Sequence, residues 1–460
     1  MEHIQEASTN SLLLGTFTIR GKKHRTYLHA GRLIWQMINE PFTQHSIIVA
    51  QVLAVEPVHN SINCCIEVGT QETLLNSCDT ETEPSHTQHV AFTLHWAEEN
   101  RKRQWRHRKV IMSHPNPQQI SLWVSTLRNI ISGFMQRPRH LLIFVNPVGG
   151  KRQGEAILKK KFLPLLELMG VMSDVVVTQG PYHAHELLQS KSLDKYDGVV
   201  CVGGDGTLAE VLGGLLIRTA RNMGVNLDAG AAPCSPTLRL AVIPAGSTDA
   251  VACSLHGTND IVTAILHILL GGSKGVDVCC IHEDTRDELA GKLLRFGVSM
   301  MGYGFLGDVV ECSEKCRWLG PHRYDFAGGV WKNISGNFFM LNAANLSCSC
   351  KRCPQGMTPN CHAGDGCMDI VIVRKTSRIN ILKLLIRLSS TTKTIFDLPF
   401  VEVHRTHEMI FQPAVTKNSN KTSKWNVDGE LMYSPSVKIR VEKQLVKMFA
   451  QSEKLADEQE

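Results

Sequence analysis

Short β-like runs occupy the first 134 positions, at 12–19, 25–30, 33–37, 47–52, 90–96 and 109–112. Runs of this length, rich in β-branched and aromatic residues and separated by polar stretches, predict strands. From Pro117 to about Ile131 the apolar period lengthens, which places Ile120, Trp123, Val124, Leu127, Ile130 and Ile131 on one helical face. The polar segment 72–88 reads as an exposed loop between strands. At Gln136-Arg137-Pro138-Arg139 the proline biases its neighbour away from helix and marks a linker.

Beyond that linker the pattern alternates. Strands are expected at 141–145, 174–178, 198–202 and 238–243, with helices at about 153–169, near 183–189, at 207–217 and at 259–270. Strands alternating with helices predict βαβ units and a largely parallel sheet. From Val276 short β-like runs return, at 294–300, 338–342, 368–374, 401–404 and 437–441. The expected architecture is therefore multidomain. A strand-rich domain closed by a helix spans 11–135, an α/β nucleotide-binding domain spans 139–275, and a strand-rich, β-sandwich-like domain spans 276–450.

The chain has 460 residues, enough for two or three cores. A net charge of +6 is mild and diffuse. It suits an anionic membrane or a phosphate-bearing ligand and gives no reason to expect nucleic acid. The first residues lack the basic and apolar regions of a secretory signal, and the longest apolar stretch, 261–270, is interrupted by Thr263 and His267. With fifteen cysteines and no such signal, reduced thiols and a cytoplasmic, membrane-peripheral protein are expected.

The strand at 198–202 runs directly into Gly203-Gly204-Asp205-Gly206-Thr207. Two other strand ends lead into Asn146-Pro147-Val148-Gly149-Gly150-Lys151 and Pro244-Ala245-Gly246-Ser247-Thr248-Asp249. In a parallel sheet, ligands sit beyond the carboxyl ends of strands, and glycines there let backbone N–H groups approach phosphate closely. Three such turns in one sheet describe a nucleotide cleft. It is not a Walker A loop, since Lys151 is followed by Arg152, nor a dinucleotide fingerprint.

These three motifs resemble the diacylglycerol kinase catalytic family, which also holds the sphingosine and ceramide kinases. Tyr196-Asp197-Gly198, Met301-Gly302-Tyr303-Gly304-Phe305 and Ser313-Glu314-Lys315-Cys316-Arg317-Trp318-Leu319-Gly320 look most like the ceramide kinase branch. The order of elements before residue 135, with Trp123 in the closing helix, resembles a pleckstrin-homology domain. The resemblance implies an ATP-dependent lipid kinase acting on the primary hydroxyl of ceramide, with Asp205 as general base and Mg2+ bridging the phosphates. Gly203, Gly204, Asp205 and Gly206 would meet the lipid substrate. Asn146, Pro147, Val148, Gly149, Gly150, Lys151, Thr178, Glu210, Gly246, Ser247, Thr248, Arg317, Arg323, Asp428, Gly429 and Glu430 would meet ATP, and no residue is assigned to a resident metal. Residue patterns leave local alternatives open. Thr207-Leu208-Ala209-Glu210 is also a capping box, and Asp428-Gly429 is also a hairpin turn. At Val310, where sphingosine kinases carry a carboxylate for the substrate ammonium, a neutral residue favours an uncharged amide such as ceramide.

Two basic runs, 21–25 and 101–109, predict attachment to an anionic, phosphoinositide-containing membrane, of the Golgi or plasma membrane by resemblance. The basic, apolar stretch 378–388 reads either as a core-packing helix or as a calmodulin target, with Ca2+ a candidate stimulator. Cys348, Cys350, Cys353, Cys361, His362 and Cys367 lack paired zinc spacing and read as structural thiols. After Phe326 the chain reaches Phe338 and Asn342 sooner than family members do, so a shortened segment is expected there. A kinase of the same family acting on another neutral or sphingoid lipid is the near alternative, and from a different class a non-catalytic lipid-binding adaptor is the rival reading.

Overall fold

The computed structural model describes residues 13–40, 43–58, 90–284, 291–304, 331–349, 353, 356–358, 361–390, 392–393, 395–414 and 423–451. They form two compact units, one ending at Met135 and the other starting at Gln136, with 101–104 grouped with the second. The expected loop 72–88, residues 305–330 with Val310, Arg317, Arg323 and Phe326, and Cys350 lie outside the described residues.

In the first unit seven strands build one antiparallel sheet: β1 (Leu13–Ile19), β2 (Lys22–His29), β3 (Arg32–Met37), β4 (Gln44–Ile48), β5 (Val52–Val58), β6 (Ala91–Glu99) and β7 (Trp105–Ser113). Their spatial order is β4-β3-β2-β1-β7-β6-β5. Helix α1 (Pro117–Ser132) starts where the Asn116 side chain accepts from Gln118 N at 2.9 Å and Pro117 supplies a preset φ. It buries Ile120, Trp123, Val124 and Leu127, with Trp123 edge-on to Phe17 at 5.1 Å. Gly15 is required beneath that contact, because a Cβ there would lie 3.1 Å from the Trp123 indole nitrogen. The sequence missed one strand: the run expected at 47–52 is divided by a 3-10 turn, Val49–Gln51, between β4 and β5.

The second unit is built on an eight-stranded sheet. β8 (His140–Val145), β9 (Met172–Val177), β10 (Gly198–Gly203) and β11 (Arg239–Pro244) are parallel, in the order β9-β8-β10-β11. All six residues of β10 are buried, as both-sided coverage by helices demands. A helix α2, built from Gly154–Ile157, a π segment Leu158–Phe162 and Leu163–Leu168, links β8 to β9. Helix α3 (His183–Ser190) leads to β10, and α4 (Asp205–Asn222) follows it. After β11 come α5 (Ala250–His256), absent from the sequence reading, and α6 (Ile261–Leu270). Chain order reverses across the β8–β10 pair, the place where an open parallel sheet forms a ligand crevice.

The sheet continues past the boundary expected at residue 275. β12 (Ser273–Glu283) spans it and pairs antiparallel with the terminal strand β21 (Val437–Phe449), which lies parallel to β11. β13 (Leu293–Gly297) pairs with β12. A six-stranded antiparallel sheet forms the remainder: β14 (Met300–Gly304), β15 (Phe338–Ala344), β16 (Met368–Arg374), β17 (Val401–Thr406), β19 (Trp425–Val427) and β20 (Glu430–Met432). Its spatial order is β17-β16-β15-β14-β19-β20. The short β18 (Glu408–Phe411) joins β21.

Alternation along the strands separates two cores. Met301, Leu341, Ala343, Ile370, Ile372 and Trp425 cluster with Cys279, Ile281, Val437 and Ile439 of β12 and β21, giving a sandwich of two sheets. On the opposite face Met340, Ala344, Val371, Val373 and Val403 join the cluster containing Leu384 and Leu388 of helix α7 (Arg378–Leu388). Cys348 and Cys361 are buried in this region, and their thiols donate to Ser299 O and Ala344 O. Burial holds both thiols neutral by raising their pKa above the usual range.

Candidate active site

Parallel register brings three turns together. Val202 is paired with Val145 and with Ile243, and Gly203 with Pro244, so the turns after β8, β10 and β11 emerge side by side. Asn146 N donates to Val202 O and Ala245 N to Gly203 O, both at 3.0 Å, extending the pairing past the strand ends. The backbones then approach too closely for side chains. A Cβ on Gly246 would meet Gly204 Cα at 2.6 Å, and one on Gly150, whose φ is +53°, would meet Ala245 O at 2.4 Å. Residues 146–151, 203–206 and 246–248 thus lie together at one end of the parallel sheet.

Side chains lock this surface from behind. Asn146 Oδ1 accepts from Val148 N and Gly149 N, while its Nδ2 donates to Thr207 Oγ1 at 2.9 Å. Asp249 sits at φ +54° and its Oδ1 accepts from Gly246 N at 2.8 Å. Thr178 bonds Val145 O through both its N–H and its hydroxyl. Val148, Gly150, Lys151, Ser247 and Thr248 remain exposed at the rim. Gly204 offers no side-chain cap to α4, and Leu208 N bonds back to Gly204 O. The first-turn N–H groups of an 18-residue helix therefore point into the turn, where the helix dipole favours an anion.

Asp205 opens α4, and its carboxylate crosses to the start of α5. Oδ2 accepts from Ala250 N at 3.0 Å and Oδ1 from Val251 N at 3.1 Å. Removal from water raises its pKa to about 6. The two backbone donors oppose that rise, and the nearby charges of Asp249 and Asp428 add to it. Asp249 is raised as well, chiefly by burial.

The structure gives the local partners of two further residues with open readings. Helix α4 starts at Asp205, two residues before the proposed Thr207 cap, and Thr207 Oγ1 serves Asn146. Glu210 closes no capping box; its Oε1 accepts from Ala184 N at 2.8 Å, at the start of α3. Asp428-Gly429 is a hairpin turn between β19 and β20, with Asp428 at φ +50°. The Asp428 carboxylate accepts from Val298 N, Ser299 N, Ser299 Oγ and Met300 N. The hairpin still reaches the cleft. Asp428 O and Glu430 Oε1 stand 3.8 and 3.3 Å from where a Gly206 Cβ would be. Gly429 is exposed at its tip.

Arg295 on β13 escaped the sequence reading. It donates to Glu430 Oε2 at 2.6 Å and to Tyr182 Oη at 3.2 Å, and its Nη1 is buried without a hydrogen-bond partner among the described residues. In sequence it is one polar residue in a strand, with no spacing to single it out. No cluster of three His, Cys, Asp or Glu side chains among the described residues is arranged to hold a metal.

The raised carboxylate of Asp205 has a measurable consequence. Because its folded pKa lies above the ordinary 3.8, the folded state loses stability as pH rises from about 4 through about 6. Asp205→Asn is expected to be more stable than the parent chain at pH 7.5 by roughly 1–3 kcal/mol, with the gap closing toward pH 4. Urea titrations at both pH values read this out, and a pH-independent difference would show that the carboxylate titrates normally.

Known proteins resemble this chain in sequence over most of its length. The family model of the diacylglycerol kinase catalytic domain matches residues 140–281, and that of the ceramide kinase C-terminal domain matches residues 324–460. The ceramide kinase of Homo sapiens is 36% identical, covering 78% of this chain and 82% of its own. A ceramide kinase-like protein of Homo sapiens is 32% identical, covering 72% of each. Among solved structures, a diacylglycerol kinase from Bacillus anthracis aligns with a TM-score of 0.47 at 17% identity, covering 68% of this chain and 97% of its own. By identity and coverage, this chain belongs to the ceramide kinase family.

Proposed function

We propose that this chain is a lipid kinase that transfers the γ-phosphoryl group of ATP to the primary hydroxyl of ceramide. Asp205 carries the reading: a carboxylate with a pKa of about 6, at the meeting point of three glycine turns, is poised to take a proton near neutral pH. The substrate oxygen loses its proton to Asp205 and attacks the γ-phosphorus. The bond to the bridging oxygen breaks, ADP leaves, and Asp205 releases the proton to solvent. Such a reaction depends on positioning and charge stabilisation more than on covalent help. Backbone N–H groups of 150 and 151 and of the first turn of α4 would hold the phosphates, with Lys151, Ser247 and Thr248 at the rim. The hairpin bearing Gly429 and Glu430 would close one side, and Thr178 and Glu210 would support the neighbouring strand and helix ends.

Mg2+ suits this donor set, since it prefers phosphate oxygens and water with only one or two carboxylates. Asp249 is the carboxylate within the turns that the proton-accepting role leaves free to face a cation, and bound Mg2+ would neutralise the developing phosphate charge. The strand order of the first unit and its closing helix support a pleckstrin-homology-like domain. Lys22, Lys23 and Arg25, and Arg101, Arg103, Arg108 and Lys109, are exposed, as contact with an anionic phosphoinositide surface requires. No helix among the described residues is long and apolar enough to cross a membrane. In α7, Leu384 and Leu388 are buried while Ile379, Leu382 and Ile386 are exposed, leaving a second apolar row that calmodulin would take.

Purified protein with radiolabelled ATP and ceramide vesicles is expected to form ceramide 1-phosphate, and an equal or faster rate on sphingosine would overturn the substrate assignment. Asp205→Asn should lower kcat at least ~100-fold, and the parent's acid limb should fall near pH 6. Neutralising the exposed basic residues of 21–25 and 101–109 should weaken binding to phosphoinositide liposomes, and undiminished binding would refute the membrane role. A peptide spanning 378–388 should bind Ca2+-calmodulin; no binding by calorimetry would remove calmodulin as a partner.

A further inference from the structure

The six-stranded sheet contains a polar row that the phosphate-handling turns do not use. Gly302 of β14 is paired on one side with Asn342 of β15 and on the other with Asn426 of β19. Directly paired residues of antiparallel strands share a face, so the three form one row across the sheet, with the asparagines two strands apart, about 10 Å. Asn342 keeps the same parity as Met340 and Ala344, on the face opposite the sandwich core. Gly302 contributes no side chain between them.

Both asparagines are almost completely removed from solvent, at 1% and 5% exposure. Yet neither Nδ2 nor Oδ1 of Asn342, nor Oδ1 of Asn426, has a hydrogen-bond partner among the described residues. Buried amides are normally satisfied, because an unpaired one destabilises the folded chain. Two in one row, flanking a glycine, are retained at a cost that a bound polar group would offset. The row also adjoins the reacting centre. Asn426 lies two residues, about 7 Å of extended chain, before Asp428, whose carbonyl stands beside Gly206.

We infer that Asn342 and Asn426 recognise the secondary amide and neighbouring hydroxyl of the lipid substrate across Gly302. This rests on the reading of ceramide as substrate and adds what selects it. An asparagine amide offers both a donor to the substrate carbonyl and an acceptor for its N–H or O–H. No charge is placed in the row, so the ligand it matches is an uncharged amide and not an ammonium. A buried polar pair of this kind discriminates strongly, because an analogue lacking the N–H leaves the site's amides unpaired again.

The test uses Asn342→Leu and Asn426→Leu in the full chain, with three readouts: binding of a fluorescent short-chain ceramide without nucleotide, KM for ceramide and for ATP, and Tm. Recognition predicts ceramide binding weakened at least tenfold and a ceramide KM raised as much. The ATP KM should stay within twofold, and Tm should hold or rise as unpaired polar atoms are removed. Unchanged ceramide binding overturns the inference whatever happens to Tm. If leucine prevents folding, Asn342→Ser and Asn426→Ser are judged on ceramide binding by the same criterion. A parent chain that binds the fluorescent ceramide in an Asn-dependent way but transfers no phosphate would sink the kinase reading and leave this one standing.

Discussion

The contact between Gly204 and Gly246 governs the rest of the catalytic unit. Two turns from strands whose paired residues are 41 apart in sequence approach until not even a methyl group would fit between them. Parallel pairing of β10 with β11 sets their height, and the absence of Cβ atoms permits the approach. Everything at the mouth of the crevice inherits its position from that contact. The first turn of α4 is aimed by it, Asp249 is folded back onto Gly246 N, and Asp205 is carried to within hydrogen-bond reach of Ala250 and Val251.

Three aspartates near this point show how environment divides one residue type into separate tasks. Asp428 receives four donors and is consumed in joining its hairpin to the β13–β14 connection. Asp249 restrains its own turn. Asp205 receives two backbone N–H groups, too few to offset its loss of water and the neighbouring negative charges, so its affinity for a proton rises. The raised proton affinity of Asp205, on which its proposed role rests, therefore comes from incomplete satisfaction. The same logic applies to Asn342 and to Oδ1 of Asn426, which lack partners among the described residues, whereas the Asp277 carboxylate accepts from Gln444 N and Gly366 N.

The terminal strand β21 joins the parts of this unit. It extends the parallel sheet beside β11, carries β12 and β18 as antiparallel neighbours, and contributes Val437, Ile439 and Val441 to the sandwich core. The nucleotide-binding and strand-rich halves consequently share one sheet, and the hairpin bearing Asp428–Glu430, on the strand-rich side, meets Gly206 on the other.

The amino-acid sequence determined the features whose signals are local. The apolar face of α1 emerged from its period, as did the buried strands β8, β10 and β11 with the glycine turns that follow them. Asp205 was legible because it stands inside such a turn. Tertiary structure decided what depends on distant partners. The pairing of β12 with β21 carries one sheet across the boundary drawn near 275, since nothing in either strand announces the other. Glu210 left its expected capping box for the start of α3, and the carboxylate of Asp428 turned to three backbone N–H groups 128 to 130 residues away. Arg295 and the Asn342–Gly302–Asn426 row carry no motif at all. Register between strands, which a sequence pattern specifies only to within the choice of face, brought them together.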